Sequence, residues 1–287
     1  MLVCCLGDAV LDVVVTVADG LAQDDDVPAR VELRPGGQAA NVAAWVCRAG
    51  GRARFLGPRS DTVAGALLAQ TMAGHGIEPS GPSYPSRPGA VVSVSSGGRR
   101  SMASDEGALG WPTEVFETAD LTDADWLLLS GYVLYRTPHL AALVALTDRA
   151  RLAGVPVGVD LASARLLTEF GARRVADLLD RLGPGAVFAN EAEWEALAWS
   201  APYSCDLVLK QGDRGCTFHH RGDVRRLPAV AADVRDTTGA GDALAAGYLV
   251  GGPPLAMRLA AECVAQPGAQ PGREMIGSTD LRGADRD

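Results

Sequence analysis

Short apolar runs that alternate with helix-like segments restrict the fold of this chain more than any other feature. Leu2–Leu6, Trp126–Ser130 and Asp206–Lys210 have the length and the apolar content of buried strands. Helix-like segments stand between such runs, for example at residues 64–74 and 139–153. Strands that alternate with helices in this way predict an α/β fold with a mostly parallel sheet.

Three of the predicted strands end in a polar residue. Asp160, Asn190 and Lys210 stand at the carboxyl ends of three successive apolar runs. In a parallel sheet these ends share one edge, and that edge is where α/β proteins bind their ligands. The sequence therefore predicts a ligand site along the edge on which these three side chains lie.

Length, charge and cysteine spacing exclude several classes of protein. The 287 residues are enough for one large α/β domain or two smaller ones. Twenty-six basic and 35 acidic residues give a formal charge of −9, which argues against nucleic acid as a partner. The six cysteines show no Cys-x-x-Cys spacing, so we expect no structural zinc site. Asp8 and Asp12 interrupt the apolar N-terminal run, and we expect a reduced, cytoplasmic protein without a membrane segment.

Residues 236–242, Asp-Thr-Thr-Gly-Ala-Gly-Asp, have the composition of an anion site. They follow the apolar residues 229–232 and precede an apolar helical sequence, so we predict a strand end, a glycine turn and a helix start. Gly239 and Gly241 permit a tight turn, and the unpaired amides of a new helix attract a group such as phosphate. Asp242 would then be either a helix cap or a base that takes a proton from an attacking hydroxyl.

A second pair of glycines, Gly36 and Gly37, precedes the helical residues 42–49, and Asn41 falls in the first turn. The glycines give a ligand access to the backbone, and Asn41 offers it a side-chain amide, although an ordinary helix start would look the same. Further along, residues 90–95 and 99–103 predict a hairpin around Ser-Gly-Gly. Its many serines and arginines suggest that it stands off the main sheet.

Three common ligand-binding motifs are absent from the chain. It has no Gly-x-x-x-x-Gly-Lys-Ser/Thr, no Gly-x-Gly-x-x-Gly after the first strand and no Gly-x-Ser-x-Gly. The motifs that it does have resemble, in their order, those of the ribokinase-like (PfkB) family of carbohydrate and nucleoside kinases. Residues 236–242 match the Asp-Thr-x-Gly-Ala-Gly-Asp signature in full, and the resemblance covers roughly residues 1–272. The other matching segments are Gly7-Asp8 with Asp12, Gly36-Gly37 with Asn41, Asn190-x-x-Glu193, Lys210-x-Gly212-x-x-Gly215 and residues 263–268.

The resemblance implies a ribokinase-like three-layer α/β sandwich with a mostly parallel central sheet between helices. A small β lid would come from about residues 12–37 and 88–104. We therefore expect one kinase domain over residues 1–272 and a disordered tail over residues 273–287. The lid strands would have exposed edges, which favours a homodimer formed through the lid.

The resemblance also implies an ATP-dependent transfer of the γ-phosphoryl group to a primary hydroxyl of a sugar. Asp242 would be the base, and the backbone amides around Gly239, Ala240 and Gly241 would form the anion hole. Asp12, Gly36, Gly37 and Asn41 would bind the acceptor. Nucleotide binding would fall to Asn190, Lys210, Gly212 and Gly215. Glu193 would act on Mg²⁺ through water, and Asp236 and Thr238 would hold a monovalent cation such as K⁺.

The chain departs from the family pattern after Leu56. The family usually shows Gly-x-x-Gly-x-Asp-x-x-Gly there, and this chain has Ser60 and Thr62 at the second Gly and at the Asp. The segments between Asn190 and Lys210 and between residues 242 and 263 are also shorter than usual. Two alternatives therefore stay open, a catalytically silent ligand-binding protein and a nucleoside kinase. A nucleoside base would need aromatic partners, for which the candidates are Tyr84, Trp111 and Tyr132.

Overall fold

The computed structural model describes residues 1–18, 20–96, 99–197 and 199–272. The predicted tail, residues 273–287, lies outside the described residues, as does the Gly97-Gly98 turn of the predicted hairpin. The strands in chain order are β1 (Leu2–Leu6), β2 (Val10–Val17), β3 (Ala29–Gly36), β4 (Arg52–Leu56), β5 (Arg59–Ser60), β6 (Glu78–Ser80), β7 (Ser83–Tyr84), β8 (Gly89–Ser96), β9 (Arg99–Asp105), β10 (Trp126–Ser130), β11 (Val157–Asp160), β12 (Ala186–Asn190), β13 (Asp206–Lys210), β14 (Cys216–His220) and β15 (Asp223–Leu227). The helices are α1 (Gln38–Arg48), α2 (Val63–Gly74), α3 (Thr113–Glu117), α4 (Gly131–Arg136), α5 (Leu140–Leu152), α6 (Ala164–Phe170), α7 (Ala172–Leu182), α8 (Glu191–Ala196) and α9 (Ala240–Val264).

A large sheet forms the centre of the molecule, in the order β15-β14-β13-β12-β11-β10-β1-β4-β6. Neighbours from β13 to β6 run parallel, whereas β14 and β15 pair antiparallel at one edge. Strand β1 is buried along its whole length, as an apolar strand covered by helices on both faces should be. The prediction of a mostly parallel central sheet is confirmed.

Helices cover both faces of this sheet. Val3 and Cys5 of β1 face one core, shared with α1, α2 and α9, while Cys4 and Leu6 face the other, shared with α3 to α7. Alternate residues of a strand point to opposite faces, so one apolar run supplies both cores. The three-layer architecture is therefore as predicted. In the part of the chain that the structure describes, no helix is both long and apolar enough to cross a membrane.

A separate four-stranded sheet, in the order β3-β2-β8-β9, stands beside the carboxyl edge of the central sheet. Its strand register gives it two distinct faces. The inner lid face carries Asp12, Val14, Val91, Ser93, Met102 and Ser104 and borders a cavity. The outer lid face carries Val13, Val15, Val31, Leu33, Val92, Val94 and Ala103.

One local prediction was wrong, and some short helices were missed. Residues 229–232 do not form a strand before the glycine turn, because the last strand, β15, ends at Leu227 and the chain is then irregular up to the start of α9. Three of these four residues are alanines, which disfavour strands, and most of the segment is exposed with no neighbouring strand. Helices α4 and α6 were not predicted, since each is too short to show a helical period.

Candidate active site

The three polar strand ends lie on one edge of the central sheet, where β11, β12 and β13 are neighbours. Asp160 is fully buried, and both its carboxylate oxygens accept hydrogen bonds from Lys210 Nζ, at 3.0 and 2.9 Å. Burial would lower the pKa of Lys210, but Asp160 and Glu193 oppose this and the net effect is to raise it. Lys210 therefore remains a cation that is held in place at the floor of the site.

Asn190 and Glu193 form a capping box at the start of α8. The Asn190 side chain accepts from the Glu193 amide at 2.8 Å, and Glu193 Oε2 accepts from the Asn190 amide at 2.8 Å. Glu193 Oε1 accepts from Asn190 Nδ2 at the same distance. Burial raises the pKa of Glu193, and Asp160 raises it further, while Lys210 opposes them. The Glu193 carboxylate is thus fixed within electrostatic reach of the Lys210 pair.

The glycine turn leads directly into α9. Gly239 has a φ of 80°, and a Cβ there would lie 2.5 Å from the Ala269 oxygen, so both backbone and space require glycine. A Cβ on Gly241 would instead lie 3.4 Å from Lys210 Nζ. The first amides of a helix have no partner within the helix, and its dipole is positive at that end. These amides and the Lys210 ammonium together make a site for an anion.

Asp242 lies in the first turn of α9 and accepts a hydrogen bond from Asn41 Nδ2 at 2.8 Å. Asn41 Oδ1 in turn accepts from Gln270 Nε2 at 3.2 Å. Burial raises the pKa of Asp242 to about 7, and the nearby Asp160 and Asp8 carboxylates add to this, while Asn41 and Lys210 oppose it. A carboxylate with such a pKa is suited to take a proton near neutral pH.

A cavity of about 400 Å³ separates Asp242 from the inner lid face. Three of the four residues predicted to bind the acceptor, Asp12, Gly37 and Asn41, line it. Gly36 does not line it but lies against Asp12, and a Cβ at this position would overlap the Asp12 carboxylate. The predicted acceptor residues and the predicted base therefore surround one space.

Gly212 and Gly215 lie in the loop that follows β13 and are not among the residues that line this cavity. Gly215 has a φ of 94°, and a Cβ there would overlap the backbone oxygen of Leu227. Gly212 has a φ of 61° at the start of a single 3₁₀ turn. Both glycines set the path of the loop beside Lys210.

Asp236 joins the glycine turn to the loop that follows α9. Its Oδ1 accepts from the Thr238 amide at 2.9 Å and from Thr238 Oγ1 at 2.6 Å, and its Oδ2 accepts from the Gly268 amide at 2.9 Å. Thr238 also lines the cavity. Within the described ranges, no three His, Cys, Asp or Glu side chains are grouped as a metal would require.

Ser60 and Thr62, the departures from the family pattern, have a clear local role. Thr62 is the N-cap of α2, and its hydroxyl accepts from the Gly65 amide at 3.4 Å. Ser60 Oγ lies 2.7 Å from Thr62 Oγ1. Asp and Thr are both favoured N-cap residues, so Thr62 can replace the usual Asp without loss of the cap.

Sequence reasoning did not assign Asp8, Arg136 or Gln270 to the site. Asp8 and Arg136 line the cavity, with Arg136 Nη1 3.4 Å from Asp8 Oδ2. The position of Asp8 just after β1 was a usable signal, because it is again a polar residue at a strand end. Arg136 lies in the short helix α4, and Gln270 is 229 positions from Asn41, so neither has a local pattern that marks it.

Comparison with known proteins identifies the family and the fold of the chain. Residues 1–253 match the pfkB family carbohydrate kinases. The fructokinase of Escherichia coli is 27% identical over 271 aligned residues, which cover 86% of this chain and 82% of that protein. The adenosine kinase of Sinorhizobium meliloti shares the fold, with a TM-score of 0.79, 22% identity and coverage of 94% of this chain and 95% of that one. An uncharacterized sugar kinase from Pyrococcus horikoshii in complex with ATP does so too, with a TM-score of 0.79, 20% identity and the same coverage. The chain belongs to the pfkB family of carbohydrate kinases and is a phosphotransferase.

Proposed function

We propose that this protein transfers the γ-phosphoryl group of ATP to a hydroxyl group of a sugar. The observation that carries the proposal is the position of Asp242. Its carboxylate, with a pKa of about 7, lies between a cavity lined by polar groups and an anion site formed by the start of α9 and Lys210. A base next to an anion site is what phosphoryl transfer to a hydroxyl requires.

In this reaction the acceptor hydroxyl gives its proton to Asp242 while its oxygen bonds to the γ-phosphorus of ATP. The bond from that phosphorus to the bridging oxygen breaks, and ADP leaves with the bonding electrons. The amides around Gly239, Ala240 and Gly241, together with Lys210, stabilise the charge on the transferred group. Asn41, which Gln270 holds in turn, orients the Asp242 carboxylate.

Binding of the nucleotide and its cations is assigned to the edge beside the acceptor cavity. Asn190, Lys210, Gly212 and Gly215 would contact ATP. Glu193 fits a contact to Mg²⁺ through water, because it is a fixed carboxylate near the anion site and Mg²⁺ commonly keeps several waters. Bound Mg²⁺ would neutralise charge on the phosphates. Asp236 and Thr238, where two loops meet, would be the site of K⁺.

The acceptor that we favour is a sugar with a primary hydroxyl, and D-fructose is the first to test because the similar protein from Escherichia coli is a fructokinase. A nucleoside would need a free aromatic surface for its base. Trp111 and Tyr132 do line the cavity. However, Trp111 already stacks on Phe116 at 6.2 Å, and Tyr132 lies under the Arg136 guanidinium at 4.7 Å. Tyr84 is not among the lining residues.

Replacement of one carboxylate oxygen of Asp242 by an amide nitrogen tests the proposal. Asp242→Asn removes the base and keeps the volume, so we expect kcat with D-fructose and ATP to fall by about 10²–10⁴-fold. The Kd of ATP should change little, since the anion site is intact. Asp177→Asn, an exposed exchange of the same kind in α7, is the matched control. Unchanged turnover in Asp242→Asn would refute the role of Asp242, and no turnover of any sugar by the wild type would refute the proposed reaction.

A homodimer through the lid is a further part of the proposal. The outer lid face presents seven small or aliphatic residues, of which Val31 and Leu33 are each 59% exposed. A second copy would cover this apolar surface. We expect the wild type to sediment as a dimer and Leu33→Glu to sediment as a monomer. A monomeric wild type would contradict the dimer.

We also assign the protein to the cytoplasm. All six cysteines are free thiols, and five of them are buried. Free thiols of this kind persist in a reducing compartment.

A further inference from the structure

Two buried polar atoms in the cavity wall have no hydrogen-bond partner within the described part of the protein. They are Asp8 Oδ1 and Arg136 Nε, and they are the only two such side-chain atoms among the described residues. Buried polar groups in native proteins are nearly always paired, so each exception calls for an explanation. Both residues line the same cavity as Asp242, which suggests that the missing partner is the ligand of that cavity.

The Arg136 side chain lies between Asp8, which follows β1 of the central sheet, and Glu106, which follows β9 of the small sheet. Its Nη1 lies 3.4 Å from Asp8 Oδ2, and its guanidinium carbon lies 4.7 Å from the centre of the Tyr132 ring. Glu106, which follows the last lid strand, has its Oε1 2.9 Å from Arg136 Nε but out of line with the N–H. The two groups form an ion pair without an aligned hydrogen bond, so the N–H of Nε can still donate to an acceptor in the cavity.

An unpaired acceptor beside an unpaired donor is the pattern that hydroxyl groups complement. One ligand hydroxyl can donate to Asp8 Oδ1, and a hydroxyl can also accept from Arg136 Nε. A sugar carries hydroxyls on adjacent carbons and could supply both. A carboxylate or a phosphate could accept from Arg136 but could not donate to Asp8.

The charges around the cavity point to the same class of ligand. Five acidic side chains line it, those of Asp8, Asp12, Asp105, Glu106 and Asp242, whereas Arg136 is the one Lys or Arg among the described lining residues. Arg136 already faces two of these carboxylates. An acceptor with an anionic group would meet like charges and would find no free cation in the lining to offset them.

We propose that Asp8 and Arg136 bind adjacent hydroxyls of the acceptor, and that this pair, within an acidic cavity, selects uncharged polyhydroxylated acceptors over sugar acids and sugar phosphates. The proposal rests on the proposed sugar kinase activity and adds two specificity-determining residues to it. Both residues line the acceptor cavity, so both would act on acceptor binding.

Exchange of each member of the pair tests the binding role. Asp8→Asn and Arg136→Gln should each raise the KM for D-fructose by about 10-fold or more, while the KM for ATP changes by less than about 2-fold. Arg173→Gln, an exposed arginine paired with Asp177 in α7, is the matched control and should leave both constants unchanged. A purely structural role would move both constants together. An unchanged KM for D-fructose in both cavity variants would overturn the assignment.

The charge selection can be tested on the wild-type protein, which avoids any effect of the variants on folding. 2-Keto-D-gluconate has the carbon skeleton of D-fructose with a carboxylate in place of the first hydroxymethyl group. We expect its kcat/KM to be at least about 10-fold below that of D-fructose, and we expect Glu106→Gln, which removes one negative charge, to reduce this preference. Equal kcat/KM values, or a preference for the acid, would overturn the selection of uncharged acceptors.

Failure of the activity can be told apart from failure of this inference. If no sugar is phosphorylated, the proposed reaction is wrong. Calorimetric binding of D-fructose to the wild type and to Asp8→Asn then tests whether Asp8 and Arg136 bind the acceptor. Weaker binding to Asp8→Asn supports it. Equal binding to both proteins, or to neither, overturns it.

Discussion

At the scale of single residues, Asp242 shows how a side chain suited to a reaction can reduce stability. The folded protein raises its pKa from an ordinary value of 3.8 to about 7, so between these values the folded state binds more protons than the unfolded chain. The contribution of Asp242 to the free energy of unfolding therefore decreases as the pH rises from about 4 to about 7. Asp242→Asn should be more stable than wild type by ~1–2 kcal/mol at pH 8, and by less at pH 5. Urea unfolding at the two pH values measures this, and an equal difference at both would contradict it.

The hydrogen bond from Asn41 provides a second test of the same carboxylate. Asn41 lowers the pKa of Asp242, because a donated hydrogen bond favours the charged form. A base must be deprotonated to act, so kcat/KM of the wild type should rise with pH through about 7. In Asn41→Ala this rise should move to higher pH, and in Gln270→Ala, one bond further away, it should move less. An unshifted pH profile in Asn41→Ala would mean that another group controls the rate.

Gly239 and Gly241 are two residues apart and should respond differently to a methyl group. Gly239→Ala would put a Cβ at positive φ and 2.5 Å from a backbone oxygen, so we expect a loss of ~1–3 kcal/mol in the free energy of unfolding. Gly241→Ala meets only the flexible Lys210 side chain and should leave stability nearly unchanged. It should nevertheless lower kcat, because the methyl group enters the anion site. Thermal unfolding and turnover of both variants check this, and the reverse order of effects would refute it.

At the scale of elements, the start of α2 shows that Thr62, a departure from the family motif, has a capping role. Thr62 caps the helix through the Gly65 amide, which an Asp can also do. Thr62→Ala should cost ~1 kcal/mol in the free energy of unfolding, whereas Thr62→Asp should be close to neutral. Chemical unfolding of the two variants measures this. A loss of stability in Thr62→Asp equal to that in Thr62→Ala would show that the side chain acts in another way.

Elements with a strong period or a glycine motif could be predicted from the sequence. The strand ends at Asp160 and Lys210 and the start of α9 after Gly239 have local signals, because burial and turn geometry depend on nearby residues. The pairing of Asn41 with Gln270, and of Asp8 with Arg136, joins positions 229 and 128 apart in the chain. Such contacts depend on how the layers pack, which no local pattern encodes. The roles of these residues in the reaction remain predictions.

At the scale of the whole molecule, the cavity lies between two sheets that differ in packing. The central sheet is buried between two layers of helices, whereas Ser101, Met102 and Ala103 of the small sheet are exposed. Amides of a thinly covered sheet exchange their hydrogens faster than those of a buried core. An acceptor that contacts both sheets should hold the small one against the cavity and slow its exchange.

Hydrogen exchange followed by mass spectrometry can test this movement. D-Fructose at saturating concentration should slow exchange in β2, β8 and β9, where the inner lid face borders the cavity. Strands β12 and β13 of the central sheet should keep their slow exchange and serve as an internal control. The Asp8→Asn variant at the same concentration should show a smaller effect, because fewer molecules have acceptor bound. Equal exchange of the small sheet with and without D-fructose would show that this sheet does not close over the acceptor.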